Sequence, residues 1–196
     1  MAAEAKKVEE LPATDDFVVD WDSDEDPANP LNWPSKLKGI NIACFSCLTF
    51  VTPLASSMFA PGIPLVMEDF HSSSIFYATF AVSVYLVGYS FGPLVFAPLS
   101  ELYGRLPIYL TTNVLFIIFT IACAVAPSLG SLIGFRFLAG SAGAAPLVLG
   151  GGSVADLYSR EKRGSKMAIF SIGPLIGPVA GEVATLQCAS DRLTVA

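Results

Sequence analysis

Three sets of residues have the types and the placement to do chemistry. Arg136 stands alone among apolar residues, eight positions into a run that begins near Leu129, which at the helical rise is roughly 12 Å and therefore near mid-membrane if the run spans a bilayer. An arginine there costs ~2.5 to 3.5 kcal/mol on insertion scales, so it has to face a polar cavity or a partner rather than lipid. A buried charge in such a place is a candidate for function. It could equally only order a bundle, by pairing with helix carbonyls or a polar neighbour. The second set is Glu101, Gly104 and Arg105, in the short charged turn Leu99-Ser100-Glu101-Leu102-Tyr103-Gly104-Arg105 between two apolar runs. The third is the dense charge cluster from Asp156 to Lys166, with Arg160, Glu161, Lys162 and Arg163 between.

Other reactive side chains carry less. Cys44-x-x-Cys47 would share one face of a helix, yet no histidine or carboxylate stands near enough to complete a metal site and an apolar setting disfavours thiolate. The pair reads as packing or lipid-facing. Cys123 and Cys188 are scattered, so no disulfide framework is indicated. His71, the single histidine, falls in a short polar loop with Glu68 and Asp69 and reads as solvated. The glycine-rich runs are not phosphate loops, because no strand precedes them and no lysine follows at the right place. Without a nucleophile, a base or a metal cluster, no enzyme, cofactor or metal is expected.

The elements that must position these residues are set by composition. Of 196 residues, 53% are apolar and 14% charged, with mean hydropathy +0.61, which puts the chain in the membrane class. The formal charge of -6 misleads, since ten of the seventeen acidic residues lie in the first 26 positions. Past them the chain is mildly basic. An acidic tail without a basic cluster has no electrostatic footprint for nucleic acid. The reading divides the chain into an acidic, largely disordered tail over 1–36, a membrane-spanning domain over 37–189 and a short tail over 190–196. Met1 to Lys38 contains no apolar core of a signal peptide, so the first span is expected to act as its own insertion signal. Trp21, Trp33 and the Asp-Pro and Asn-Pro turns predict that the end of the tail folds back along the membrane surface.

Five apolar stretches reach or approach the ~20 residues that a hydrocarbon core requires: about 39–65, 75–99, 108–126, 129–155 and 167–189. The first is loosened by Pro53 and by Ala60-Pro61-Gly62, and its Ser46, Thr49, Thr52, Ser56 and Ser57 are what a cavity-lining span carries. The fifth contains Glu182. Basic residues fall on the tail, on the loop at Arg105 and on the loop from Arg160 to Lys166, all on one side if the spans alternate. That places the N-terminus and both charged loops in the cytoplasm of a multi-pass membrane protein, the plasma membrane being favoured over the vacuole. Small residues mark where helices meet in lipid: Gly88 and Gly92 on the second span, Gly140 and Gly143 on the fourth, and Gly173, Gly177 and Gly181 four apart on the fifth, with Pro178 beside the second of these.

On these residues the chain resembles a known family. Ala97-Pro98-Leu99-Ser100-Glu101-Leu102-Tyr103-Gly104-Arg105 is similar to the major facilitator superfamily signature between spans two and three. The variant is the one common in fungal drug:proton antiporters and polyamine-type exporters. Arg136-x-x-x-Gly140-x-x-Gly143-Ala144-Ala145 resembles their span-four signature, and Gly173-x-x-x-Gly177-Pro178-x-x-Gly181 their span-five antiporter signature. Trp21-Asp22, Asp26-Pro27-x-Asn29-Pro30 and Asn32-Trp33 also resemble that subgroup. Glu101 stands where the general pattern has Asp, Ala97 where it has Gly, and Glu182 where the span-five signature ends in Gly.

The resemblance implies an all-α membrane protein, a partial N-terminal half of a twelve-span bundle with about five transmembrane helices. It implies transport of small organic compounds of drug or polyamine type by proton-coupled antiport between two rocking halves, with the lipid bilayer as partner and with substrate and protons handled once a second half is present. It assigns Arg136 to proton coupling or substrate charge, and Glu101, Gly104, Arg105, Asp156 and Arg163 to a cytoplasmic gating loop and ion-pair network. The glycines and Pro178 go to helix packing and hinges. The match ends at Gly181, and a path between two halves cannot be enclosed by five spans. The alternative is therefore a membrane protein that transports nothing and has an interaction or no role.

Overall fold

The computed structural model describes residues 23, 25–27, 29–71 and 75–195. The tail over 1–22, with Trp21 and Asp22, lies outside the described residues. So do the side chains of Cys188 and Arg192.

Among the described residues seven α-helices follow one another: α1 Ser35–Ser57, α2 Ile63–Asp69, α3 Ile75–Tyr103, α4 Arg105–Ala124, α5 Leu129–Gly143, α6 Ala145–Leu157 and α7 Arg160–Val195. No strand occurs among the described residues. Helices are the local solution for such sequences, because in hydrocarbon every backbone N–H and C=O must be satisfied within its own segment. Among the described residues five stretches are long and apolar enough to cross a membrane: Ser35–Gly62, Thr79–Tyr103, Arg105–Ala124, Leu129–Leu157 and Arg160–Gln187. Their outward residues are apolar, as Leu94 and Leu175, 71% and 72% exposed, show. That is a lipid-facing surface.

Three boundaries differ from the sequence reading. The fourth crossing is two helices, with α5 ending at Gly143 and α6 starting at Ala145. Pro146, in the first turn of α6, has no N–H to give the carbonyl of Ala142, and its ring crowds that carbonyl, so the helix breaks there. The turn predicted between the second and third spans shrinks to Gly104 alone, since α3 runs on to Tyr103 and α4 begins at Arg105. Gly104 has φ 85° and ψ 162°, a region open in practice only to glycine. Pro107 sits in the first turn of α4, where a missing N–H leaves no hydrogen bond unmade. We expect Gly104→Val to cost ~1 to 3 kcal/mol of backbone strain, read as a lower midpoint of thermal unfolding in detergent. Finally, α7 begins at Arg160 instead of Met167, so the charged stretch Arg160 to Lys166 forms its first turns. Glu182 lies on its exposed surface.

The bundle is built on two pairs, α1 against α7 and α3 against α5, with α4 laid on α5 and α6 touching α1, α3, α4 and α7. Close approach in each pair is through glycine. A Cβ on Gly88 would strike the Phe137 carbonyl, and one on Gly140 would strike the Tyr85 carbonyl. Along the other pair, Gly173, Gly177 and Gly181 rest on Ser46, Phe50 and Leu54 in turn. Both rows advance four residues at a time, the match needed for two helices to stay in contact over several turns. The apolar core follows these seams, with Tyr85, Phe116, Ala139 and Ala142 in one cluster and Ile108, Tyr109, Ala145 and Leu149 in the next.

All three described links at one end involve charged residues: the Tyr103–Arg105 joint, the Leu157–Arg160 joint and the start of α1. This is the basic end. At the opposite end lie the Ala60–Asp69 segment and the Ala124–Leu129 link. Before α1, Asn29 is buried and accepts from Leu31 N–H at 3.0 Å, capping a 3-10 turn at Pro30–Asn32. Pro30 and Trp33 line a groove together with Asp156 and Leu157. The pre-membrane segment therefore docks on the basic end.

Candidate functional site

Arg136 is 8% exposed. It lines a cavity of about 540 Å³ together with Leu132 of α5, Thr120 and Cys123 of α4, Phe59 after α1, and Val66 and Phe70 of the α2 segment. Its guanidinium carbon sits 3.2 Å from the centroid of the Phe59 ring. A planar cation stacked on an aromatic face is held by the ring quadrupole, worth ~0.5 to 2 kcal/mol depending on desolvation. Among the described residues no carboxylate pairs with Arg136 and no carbonyl accepts from it. The contact made by its guanidinium is thus an aromatic face. Arg136 falls in the first third of the Leu129–Leu157 crossing, and its cavity is walled by Ala126, Val66 and Phe70 at the opposite end.

Inward of Arg136 a row of hydroxyls continues between α1 and α3. Tyr85 donates to the Thr52 carbonyl at 3.0 Å and its ring stacks on Tyr89 at 6.2 Å. The hydroxyls of Tyr89 and Thr52 are both buried near this contact.

The basic end holds the remaining predicted residues. Arg105 forms an ion pair with Asp156 at 2.7 Å and donates to the Leu149 carbonyl at 3.2 Å, tying the start of α4 to α6. Gly152 makes room for it, because a Cβ there would collide with the guanidinium. With side chains 37% and 52% exposed, the pair is screened and worth ~0 to 1 kcal/mol. Glu101, Gly104 and Arg105 line one recess of about 410 Å³ with Ser100 and Gly152. Glu101 is exposed and has no ion-pair partner among the described residues. Arg163 donates to the Ala155 carbonyl at 2.6 Å. The predicted loop network is therefore, here, one ion pair and one helix cap. Gly143 packs under Phe116 and the Tyr85 hydroxyl, and Gly92 under Ser141 and Ala144. Pro178 is partly buried beside the Gly177 contact. Cys44 and Cys47 are exposed thiols, while Cys123 faces the Arg136 cavity.

Residues 45–187 match the family model described as Major Facilitator Superfamily. The chain belongs to that superfamily. Within it, the chain is 56% identical over 170 residues to the efflux pump radE of Floropilus chiversii, covering 87% of this chain and 32% of the relative. It is 56% identical over 159 residues to the MFS-type transporter tndD of Aspergillus flavipes, covering 81% and 30%. With the MFS-type transporter penM of Penicillium rubens the figures are 54% over 162 residues, 83% and 32%. The chain thus spans about a third of the length of the curated relatives it matches. It is an all-α, multi-pass integral membrane protein, a five-span part of the major facilitator bundle.

Four participants escape a reading of charge and glycine alone. Phe59 follows a helix end and looks like any apolar residue, Tyr85 and Tyr89 look like span filler, and Gly152 looks like one more small residue in a glycine run. The signal available for the tyrosines was their four-residue spacing, one helical turn, which puts two hydroxyls on one face.

Proposed function

We propose that this chain is the N-terminal portion of a proton-coupled exporter of small organic compounds, with Arg136 as the charged group that couples protons or meets substrate charge. The single observation that carries this is the placement of Arg136: buried, stacked on Phe59, without a carboxylate among the described residues, and open to a cavity of about 540 Å³. A cation kept in such a place is retained for what it meets there. The name of the first relative, an efflux pump, supports the outward direction. Drug or polyamine substrates and antiport are part of the proposal. So is the orientation, with the basic end and the N-terminus in the cytoplasm of the plasma membrane, supported by Lys36, Lys38, Arg105, Arg160, Lys162, Arg163 and Lys166 all lying at one end. Arg105–Asp156 would then serve the cytoplasmic gate together with Glu101, Gly104 and Arg163, and the glycine seams with Pro178 would act as the rigid packing about which that half rocks.

A chimera tests the reading. Residues 1–181 in place of the matching region of the radE pump should restore export of that pump's compound, to within a few fold of the parent. A well-folded chimera that exports nothing would contradict it. The coverage of about a third of each relative favours a second expectation: the 196-residue chain alone, reconstituted into liposomes with an imposed pH gradient, gives no flux above empty liposomes.

A further inference from the structure

Away from the Arg136 cavity, two lysines converge on one ring. Lys38 Nζ of α1 lies 5.4 Å and Lys166 Nζ of α7 5.6 Å from the centroid of Tyr158. Lys38 also donates to the Leu31 carbonyl at 2.7 Å, which fixes it in place. Both lysines are partly buried. With Lys162, Ser35 and Ser159 they line a recess of about 460 Å³ at the basic end. No carboxylate pairs with any of the three lysines among the described residues. An ammonium group has three N–H donors, and an aromatic face satisfies its charge only in part. Two such groups on one ring repel each other and leave donors free. An anion with several oxygens completes the arrangement.

The recess does not end at the charges. A second cavity of about 390 Å³ shares Gly39, Tyr158 and Lys166 with it and continues between α1 and α7 over Ile42, Ala43, Ile169 and Ile172. Charge above and an apolar slot below, at the boundary of a membrane-spanning bundle, have the shape and chemistry of a lipid. A soluble anion would occupy only the upper part.

We propose that the recess around Tyr158 and the groove beneath it bind an acidic glycerophospholipid, its phosphate on Lys38, Lys162 and Lys166 and an acyl chain between α1 and α7. The bound lipid neutralises the two cations that α1 and α7 bring to the Tyr158 ring and clamps that seam at the basic end. The inference needs only membrane residence and is independent of transport.

Native mass spectrometry of the full chain in detergent, titrated separately with phosphatidylserine, phosphatidylcholine and inorganic phosphate, tests it. Phosphatidylserine is expected to be retained several-fold over phosphatidylcholine. K38Q/K166Q should lower its retention by about tenfold or more, each basic residue near a charged lipid being worth about 5-fold. K162Q, at an exposed rim position, should lower it less, and R160Q, outside the recess, hardly at all. A43F, which fills the groove without altering charge, should lower it several-fold. Equal retention of the two lipids overturns the proposal. So does retention in K38Q/K166Q and K162Q that matches R160Q, or an A43F chain that binds phosphatidylserine as before while inorganic phosphate competes fully, which would mark a soluble-anion site. Far-UV circular dichroism of each variant separates a lost site from a lost fold.

Discussion

Gly140→Leu is expected to abolish the folded bundle. Any Cβ at position 140 meets the Tyr85 main chain, just as one at Gly88 meets the main chain at Phe137, and backbone in the middle of a span cannot swing aside as a long side chain can. Ordinary overpacking costs ~1 to 3 kcal/mol. Here the cost lies above that range, because α3 and α5 must separate along their whole seam, and with them Tyr85, Phe116, Ala139 and Ala142 leave the core. Gly164→Ala is the control, since nothing stands within 4 Å of a Cβ there. Replacing an unneeded glycine in a helix should raise stability by ~0.5 to 1 kcal/mol. Fluorescence-detected size exclusion after stepwise heating in detergent checks both: no monodisperse peak for Gly140→Leu, and a midpoint equal to or above the parent's for Gly164→Ala. A Gly140→Leu chain that melts like the parent would mean that α3 and α5 are not in contact.

Arg136→Leu is expected to do the reverse, leaving the fold and removing the function. The side chain has no hydrogen-bonded or carboxylate partner among the described residues to abandon, and losing a buried cation relieves its insertion cost. The thermal midpoint should therefore be unchanged or higher. In the radE chimera, loss of a charge-assisted contact of ~1.5 to 3 kcal/mol should lower transport by about 10- to 150-fold. Arg136→Lys keeps the charge but not the flat stacking on Phe59, and should fall between the two. A structural arginine would give the opposite pattern, lost stability with transport falling only in proportion to folded protein.

Much of this was legible in the sequence because membrane insertion leaves few choices. Uncharged runs of about 20 residues have to be helices, so the five spans could be counted before any contact was known. Glycines four apart announce close seams, and Gly173, Gly177 and Gly181 meet α1 through that spacing. What was not legible depends on contacts distant in sequence. Phe59 reaches Arg136 across 77 positions, and no local pattern marks a phenylalanine that will lie under a guanidinium. Asp156 was placed with Arg105 in the expected charge network, but that Arg105 reaches the Leu149 carbonyl as well follows from the room left by Gly152 on α6, a fact of packing. The break at Ala144 was available from Pro146, but a continuous apolar run masks it. Counting from Leu129 gives the distance of Arg136 along its helix, whereas only the cavity wall formed by Val66, Phe70 and Ala126 shows the side it opens to.

The central claim is that Arg136 makes this half of the bundle competent for proton-coupled export. Its most direct test is flux through the chimera in liposomes, with and without an imposed pH gradient, compared with the Arg136→Leu chimera at equal folded protein. The account predicts gradient-driven flux with arginine at position 136, collapse of that flux when the gradient is dissipated, and little or none with leucine. Equal gradient-driven flux from the two chimeras would contradict it.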